Sequence, residues 1–569
     1  MTEVEQLRNT VEQERERFGV AGLSVVVVQD REVVLAEGFG FRDLERGLPA
    51  TPETLFAIAS DSKAFTAALC ATLVDEGKLD WDKPVRDVLP WFRLHDPHAT
   101  ELVSVRDLLA HRTGLPRHDA VWFWGSETPS QEDIVRRLRH LQPSAPLRQV
   151  WQYNNNCYTT AGYLAGVLAG SDWETALRER LLNRLGMKST TLGPIAAQGT
   201  GDAAVPYDDR TGTNEPVPLI GDGSVGPAGG IWSNAEEMAR WVLARLEVPL
   251  ADGSLLLSKN ALRELHAPAM VKPTGPMELP GVHSLGYGLA ADVISYRGHK
   301  LVHHGGNLDG FCSNVYLAPD SGHAVMVLAN ANASGIRSAL PLAIFDQLLG
   351  LEPEPWGERL LELTETIKSG AKEASAHRLS TAAGRPPTRP LEDYAGTYSH
   401  PAYDVLQIRV EEDRLVPSWH GLEGIEMRHR DYDTFDLLLG SLYEDMPVPA
   451  AFRFGTDGIT GVEIGLEPAV EPITFVREPA QLAPEELQRL VGQYVMGPLS
   501  LAVTVVDGTL MAEVAGGKPV ALSPRDETYF VVEGVSGTRV EFVLAGEAVE
   551  MVVIQPGGIF RPASQPRAE

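Results

Sequence analysis

The stretch Ile58-Ala-Ser-Asp-Ser-Lys-Ala-Phe-Thr66 decides how the rest of the chain is read. It opens a run in which Phe65, Leu69, Leu73 and Val74 recur at helical spacing, and Gly77 stands where a C′ glycine would end the helix. Ser60-Asp61-Ser62-Lys63 therefore falls at a helix start. A serine there meets unpaired N–H groups and the positive end of the helix dipole, and Lys63 lies one turn on along the same face. Burial would depress the ammonium pKa and make the amine a proton acceptor for Ser60. A chain this long yields on the order of one S-x-x-K by chance. Alone, the motif reads equally as an N-cap serine beside a surface lysine.

Upstream, Val4 to Phe18 has the pattern of a charged amphipathic helix. Leu23–Val28 and Glu32–Glu37, parted by Gln29-Asp30-Arg31, read as a hairpin. Downstream, helical patterns cover Ser104–Ala110, Thr159–Leu168, Asp172–Leu185 and Ala235–Leu246. Strand patterns return at Leu301–His304, Cys312–Leu317 and Ala324–Ala329, before a helix near Ala339–Leu349. Strands at both ends with helices between predict one α/β unit whose sheet is built from distant segments.

Two more motifs fall within this unit. Tyr153-Asn154-Asn155 precedes the Thr159–Leu168 helix, and a loop-borne tyrosine beside cations can relay a proton while an amide orients a carbonyl. By itself it also fits an Asn-rich turn beside a packed Tyr. His304-Gly305-Gly306-Asn307 ends a strand, where glycines let backbone approach a ligand and the strand edge can bind an extended acyl group. The pair His303-His304 raises the question of a metal, but no carboxylate or cysteine stands beside it at ligand spacing, and no metal or organic cofactor is expected.

Past about Leu363 the texture changes. Residues 366–390 read as a linker, with Pro386, Pro387 and Pro390 at its end. Short alternating strands follow, and Tyr394-Ala-Gly-Thr-Tyr398 is echoed by Leu490-Val-Gly-Gln-Tyr494, which predicts two similar all-β modules, 391–479 and 480–569, behind a catalytic domain of 1–365.

Composition narrows the function. The 569 residues are 43% hydrophobic and 22% charged, which is globular rather than disordered. With 49 basic residues against 77 acidic ones the net charge is −28, so phosphate backbones and anionic lipid are repelled and no nucleic-acid or membrane partner is expected. Three scattered cysteines make no disulfide framework or zinc site. The charged first residues are not a signal peptide, and no apolar run approaches the ~18 residues of a membrane span. A cytoplasmic location is the expectation.

S-x-x-K, Tyr-x-Asn about 90 residues on and His-x-Gly about 150 further, taken together, resemble the serine β-lactamase and penicillin-binding-protein superfamily, in its class C-like branch of peptidases, esterases and D-amino-acid-specific hydrolases. Leu108-Leu-Ala-His-Arg-Thr-Gly-Leu-Pro116 is similar to the family's His-Thr-Ser-Gly-Leu-Pro segment, with Arg112-Thr113 for Thr-Ser, and Gly226-Pro-Ala-Gly-Gly-Ile-Trp-Ser233 is similar to its glycine-rich segment. The resemblance implies an α/β (α+β) catalytic domain with an antiparallel sheet and a helical subdomain, followed by two lipocalin-like barrels. It implies an acyl-enzyme on Ser60, with Lys63 and Tyr153 sharing base and acid work in an order left open. Asn155 would bind the substrate amide or hold Lys63, and the N–H groups of Ser60 and Asn307 would form an oxyanion hole beside Gly305 and Gly306. His304 stands where β-lactamases carry a lysine. Half charged near pH 6.5, it would anchor a carboxylate weakly, which argues against efficient β-lactam hydrolysis.

The expected reaction is hydrolysis of a peptide amide or ester in a small substrate, with a D-residue at the scissile bond as one form of it. Acyl transfer in the manner of a peptide cyclase or transpeptidase, and a non-catalytic sensor of peptides or β-lactams, are the alternatives. Trp122, Phe123 and Trp124 read as an apolar wall of the site or as core. The barrels read as a cover for the cleft, or as stabilising or oligomerising modules that leave a homo-oligomer open.

Overall fold

The computed structural model describes residues 2–122, 129–208, 213–218, 226–273, 279–381, 384–422, 425–439, 447–456, 458–514, 516–524, 527–535, 538–545, 548–555 and 557–563. The chain divides into two compact units, 1–374 and 375–569.

In the first unit the apolar run after Ala21 becomes the strand Gly22–Gln29, paired on one side with Glu32–Asp43 and on the other with His323–Ala329, Leu23 facing Ala329 and Val28 facing Ala324. The sheet continues through Phe311–Ala318, His299–Leu308, Asp292–Tyr296 and Val282–Tyr287, antiparallel throughout. Four consecutive valines are tolerated because both faces are covered. Leu23, Val25 and Val27 join a core with Leu7 and Val11 of the helix Glu3–Arg17 and Ile336, Leu340 and Phe345 of the helix Ile336–Leu348. Val26 and Val28, pointing the other way, are equally buried, and the helix Ala235–Arg245 packs against this strand.

The helix predicted from Phe65, Leu69 and Leu73 spans Ser62–Asp75, and every residue from Ser62 to Leu73 is buried. A helix apolar all round needs partners all round. It has them in Asn155–Ala169, Lys259–Leu265 and the short turn Gly226–Gly229. Phe65 stacks on Trp241 at 4.0 Å, and Trp173 Nε1 donates to Thr66 Oγ1 at 3.1 Å. The predicted helix at 172–185 is three pieces, Trp173–Leu177, a wider-wound Arg178–Leu182 and Asn183–Leu185.

The segment expected as a linker is helical over its first half, because the helix Trp356–Ser380 runs through it. Its Ala, Glu and Lys residues favour helix enough to absorb Gly370, and proline comes only at Pro386.

Each half of the second unit is an eight-stranded antiparallel sheet whose own first and last strands pair. Gly396–His400 pairs with Ile473–Arg477 in one, and Gly492–Met496 with Gly558–Pro562 in the other, which is a fully closed barrel. The Gly-x-Tyr echo has a shared physical use. Tyr398 Oη donates to Tyr394 O at 2.7 Å and Tyr494 Oη to Leu490 O at 2.9 Å, tying each first strand to the turn before it. Side chains fill the interiors: Trp419, Phe435, Phe452 and Phe475 in the first, Tyr494, Phe530, Phe542 and Phe560 in the second. No helix among the described residues is long and apolar enough to cross a membrane.

Candidate active site

Ser60 lies in the tight turn Ala59–Asp61 between the strand Phe56–Ala57 and the helix Ser62–Asp75. Ala59 holds φ +45°, a left-handed conformation that costs an alanine about 1–2 kcal/mol. The turn is clamped by Ile58 N–H donating to Ile231 O at 3.0 Å and Ile231 N–H donating to Ser62 Oγ at 3.1 Å.

Lys63 is fully buried, its Nζ 2.9 Å from Ser60 Oγ, 2.7 Å from Asn155 Oδ1 and 2.7 Å from Ala228 O. Burial, with the charge of Arg117, drives its pKa well below the ordinary lysine value, against Asp119 and Asp61. The amide and carbonyl oxygens can only accept. A neutral amine gives them both of its protons and turns its lone pair to Ser60. Tyr153 Oη lies 2.8 Å from the same Oγ, and burial holds its phenol protonated far above neutrality. The ring sits under Lys63 Nζ at 4.8 Å and against His111 at 4.4 Å.

Asn155 opens the helix Asn155–Ala169, capped by Asn154, whose Oδ1 accepts from Cys157 N–H at 2.9 Å. Its amide cannot turn over, because Oδ1 takes Lys63 while Nδ2 donates to Asp119 Oδ1 at 3.0 Å. Asp119 is held in turn by Arg117 Nε at 2.6 Å and Trp122 Nε1 at 2.9 Å. The strand His299–Leu308 closes the other side. A Cβ built on Gly306 would stand 2.4 Å from Ile58 O, 2.4 Å from Ser313 Oγ and 3.0 Å from Ala59 Cβ, so this strand lies directly on the Ser60 turn. Asn307, next along, accepts from Ala333 N–H at 2.9 Å.

A β-lactamase family model matches residues 7–349 of the chain. The chain belongs to the β-lactamase family. A second model, for a domain of unknown function (DUF3471), matches 380–477. This β-lactamase-family serine hydrolase is 33% identical over 470 residues to the unguisins hydrolase ungD′ of Aspergillus campestris (strain IBT 28561), covering 79% of this chain and 86% of that one. Over 500 residues it is 27% identical to the unguisins hydrolase ungD of Aspergillus violaceofuscus (strain CBS 115571), covering 80% and 87%. An octameric penicillin-binding protein homologue from Pyrococcus abyssi shares the fold, with a TM-score of 0.53 at 18% identity over 98% of this chain and 100% of that one.

In this β-lactamase-family chain burial moves His304, expected to be about half charged near pH 6.5 and otherwise neutral, toward the neutral form. The side chain is inside the protein and its pKa lies well below the ordinary histidine value, through desolvation first and Lys63 second. Nδ1 lies 2.8 Å from the Gly305 carbonyl and so carries the proton, leaving Nε2 to accept from Tyr287 Oη at 3.1 Å. His303 stacks on Tyr316 at 4.5 Å, and among the described residues no group of three or more His, Cys, Asp or Glu is placed to hold a metal ion. Trp122 serves Asp119 as a hydrogen-bond donor; Phe123 and Trp124 lie outside the described residues.

Three residues near Ser60 escaped the sequence reading. Asp119 fixes Asn155. His111, in the left-handed region at φ +54°, accepts Asn154 N–H at 3.1 Å on Nδ1 and packs on Tyr153, Tyr158 and Tyr287. Burial keeps it neutral. Asp61 lies buried beside Ser313. The available signal was modest: His111 and Asp119 stand within or just beyond the recognised Leu108–Pro116 segment, with no spacing that marks a role.

Proposed function

We propose that the enzyme hydrolyses a peptide amide or an ester through an acyl-enzyme on Ser60. The observation that carries this reading is the single hydroxyl reached at 2.9 Å by a buried amine and at 2.8 Å by the phenol of a half-buried tyrosine. Neutral Lys63 takes the Ser60 proton as Oγ attacks the carbonyl carbon. Tyr153, protonated and donating to the same oxygen, supplies the proton that the leaving amine or alkoxide needs, and recovers it by way of Lys63. The N–H groups of Ser60 and Asn307 receive the developing oxyanion. Water then attacks the ester, with the same groups acting in reverse.

Asn155, locked by Asp119, holds Lys63 in place. His304, neutral, offers no cation to a substrate carboxylate, which favours an internal amide or an ester over a free C-terminus or a β-lactam acid. The Aspergillus relatives, named for hydrolysing unguisins, support the hydrolase class. Residues 1–365 would contain the catalytic machinery, with 391–479 and 480–569 as separate modules.

The test is labelling by a fluorophosphonate read by intact mass, on the wild type, Ser60→Ala and Lys63→Ala, alongside assays of p-nitrophenyl esters and D- and L-aminoacyl p-nitroanilides. One adduct lost with Ser60→Ala, together with turnover, is the expected result, and the anilides report the stereochemical preference. A folded wild type that neither labels nor turns over would remove the reading.

A further inference from the structure

Asp61 follows Ser60 directly, and its carboxyl is 2% exposed. Oδ2 lies 2.5 Å from Ser313 Oγ, while Oδ1 has no hydrogen-bond partner. Ser313 Oγ also lies 2.8 Å from the carbonyl oxygen of Ile58, which already accepts Asp61 N–H at 3.1 Å. A hydroxyl has one proton and cannot serve both acceptors fully. A neutral Asp61 resolves the count: its O–H donates to Ser313 Oγ, and the Ser313 proton goes to Ile58. An ionised Asp61 takes the Ser313 proton for itself, strips Ile58 of that donor and leaves Oδ1 a buried charge with no hydrogen-bond donor.

The groups in this relay belong to two elements whose relative position sets the oxyanion hole. Ile58 and Asp61 flank Ser60 on its turn. Ser313 is the cross-strand partner of Gly306, and Asn307 comes next. The space at Gly306 is bounded by Ile58 O and Ser313 Oγ, two members of the relay.

We propose that Asp61 is a positioning residue: as a neutral acid it bolts the Ser60 turn to the His299–Leu308 strand through the Ser313 hydroxyl, and its ionisation loosens the pair and slows acylation. This regulation of the site rests on the acyl-enzyme reading of Ser60. Burial pushes the carboxyl up to about 7, against the Ser313 hydrogen bond and the charges of Arg245, Arg337 and Lys63. Among the described residues, those three, from the helices Ala235–Arg245, Ile336–Leu348 and Ser62–Asp75, and Tyr153, whose phenol senses Asp61, are the charged and titratable groups that act most on it. None imitates it. Lys63 is active when neutral, so its titration raises activity with pH, and Tyr153 ionises far above this range.

The experiment measures the fluorophosphonate labelling rate of Ser60, and kcat and KM for a p-nitrophenyl ester, from about pH 5 to about pH 9. The full-length proteins are the wild type, Asp61→Asn and Ser313→Ala. In the wild type, kcat and the labelling rate are expected to fall about tenfold or more on crossing neutrality, with KM changed less than about threefold. Asp61→Asn, whose amide donates to Ser313 at every pH, is expected to stay within about threefold of the wild-type acid plateau and to lose the alkaline fall. Ser313→Ala is expected to be slower throughout and to lose the fall as well. A wild type without the fall, or Asp61→Asn retaining it, overturns the proposal. Where Asp61→Asn does not fold, an unchanged fall in Ser313→Ala overturns it. A wild type that labels and turns over while the variants keep the fall removes the positioning role alone. Failure to label Ser60 at any pH removes the acyl-enzyme reading, and the proposal with it.

Discussion

Lys63 shows how one nitrogen is committed by its surroundings. Two oxygens that can only accept take its protons, and the third contact is the Ser60 hydroxyl. That commitment depends on Asn155 presenting its oxygen rather than its NH2 group, and Asp119 enforces the choice. Asp119→Ala frees the amide to rotate and turn a donor toward Lys63. The expected result is a fall in kcat of about 100-fold with KM nearly unchanged, the size of effect that small misplacement of a catalytic group produces. Asp119→Asn keeps an acceptor for the Asn155 amide and should recover most of the loss. Steady-state kinetics with an ester substrate, beside a thermal melt to show intact folding, checks both. Ser60, Lys63, Tyr153 and Asn155 were legible because the S-x-x-K and Tyr-x-Asn spacings carry them. Asp119 was not, because its partner is 36 residues away and nothing in the spacing joins them.

Among elements, the closest approach is that of the strand His299–Leu308 to the Ser60 turn. Gly306→Ala places a methyl carbon 2.4 Å from a backbone oxygen, a contact that only movement of the strand can relieve. Labelling of Ser60 by fluorophosphonate is expected to drop by about 100-fold or more, while circular dichroism stays that of the wild type. A normal labelling rate would show that the strand does not set the site. A second junction is structural. Asp346, buried on the helix Ile336–Leu348, accepts from Tyr296 Oη, from Arg297 Nη1 at 2.8 Å, from Glu354 N–H at 3.0 Å and from Trp356 Nε1 at 3.0 Å. Asp346→Ala takes this acceptor from Arg297 and from three further donors, Tyr296 Oη, Glu354 N–H and Trp356 Nε1, and should cost about 1–3 kcal/mol for the buried donors left unsatisfied, read as a lower denaturation midpoint. The helix Trp356–Ser380 that begins here runs through the first part of the segment 366–390 read as a linker, where glycine and serine among the alanines hide a helix former's composition.

Across the whole molecule, histidines shielded from water set the response to acid. His111, His266, His303 and His304 have pKa values lowered by burial, that of His266 to about 3. The unfolded chain takes up protons at these positions below about pH 6.5 while the folded chain does not, so stability is present above that pH and lost as pH falls through it. Each fully neutral histidine contributes a slope of up to about 1.4 kcal/mol per pH unit. Asp61 has the opposite sign: its raised pKa gives support to the folded state that is complete below the unfolded value of about 4 and is lost as pH rises from there to about 7. Several histidines outweigh one carboxyl, and denaturation midpoints are expected to fall steeply between about pH 6.5 and pH 4.5. A midpoint that stays flat over this interval would mean that these rings accept protons in the folded state.

The sequence by itself determined what repeats or recurs along the chain. The valine run, the helical spacing behind Ser60, the three motifs and the twin Gly-x-Tyr modules are each written in residues close together, and local pattern is what propensity and periodicity can read. Only the tertiary structure decided protonation and orientation. A pKa depends on water excluded by neighbours far along the chain, so a histidine whose charge near pH 6.5 the sequence left open is held toward neutrality beside Tyr287, and an aspartate that looked incidental in Ser60-Asp61-Ser62-Lys63 is buried against Ser313, 252 residues away.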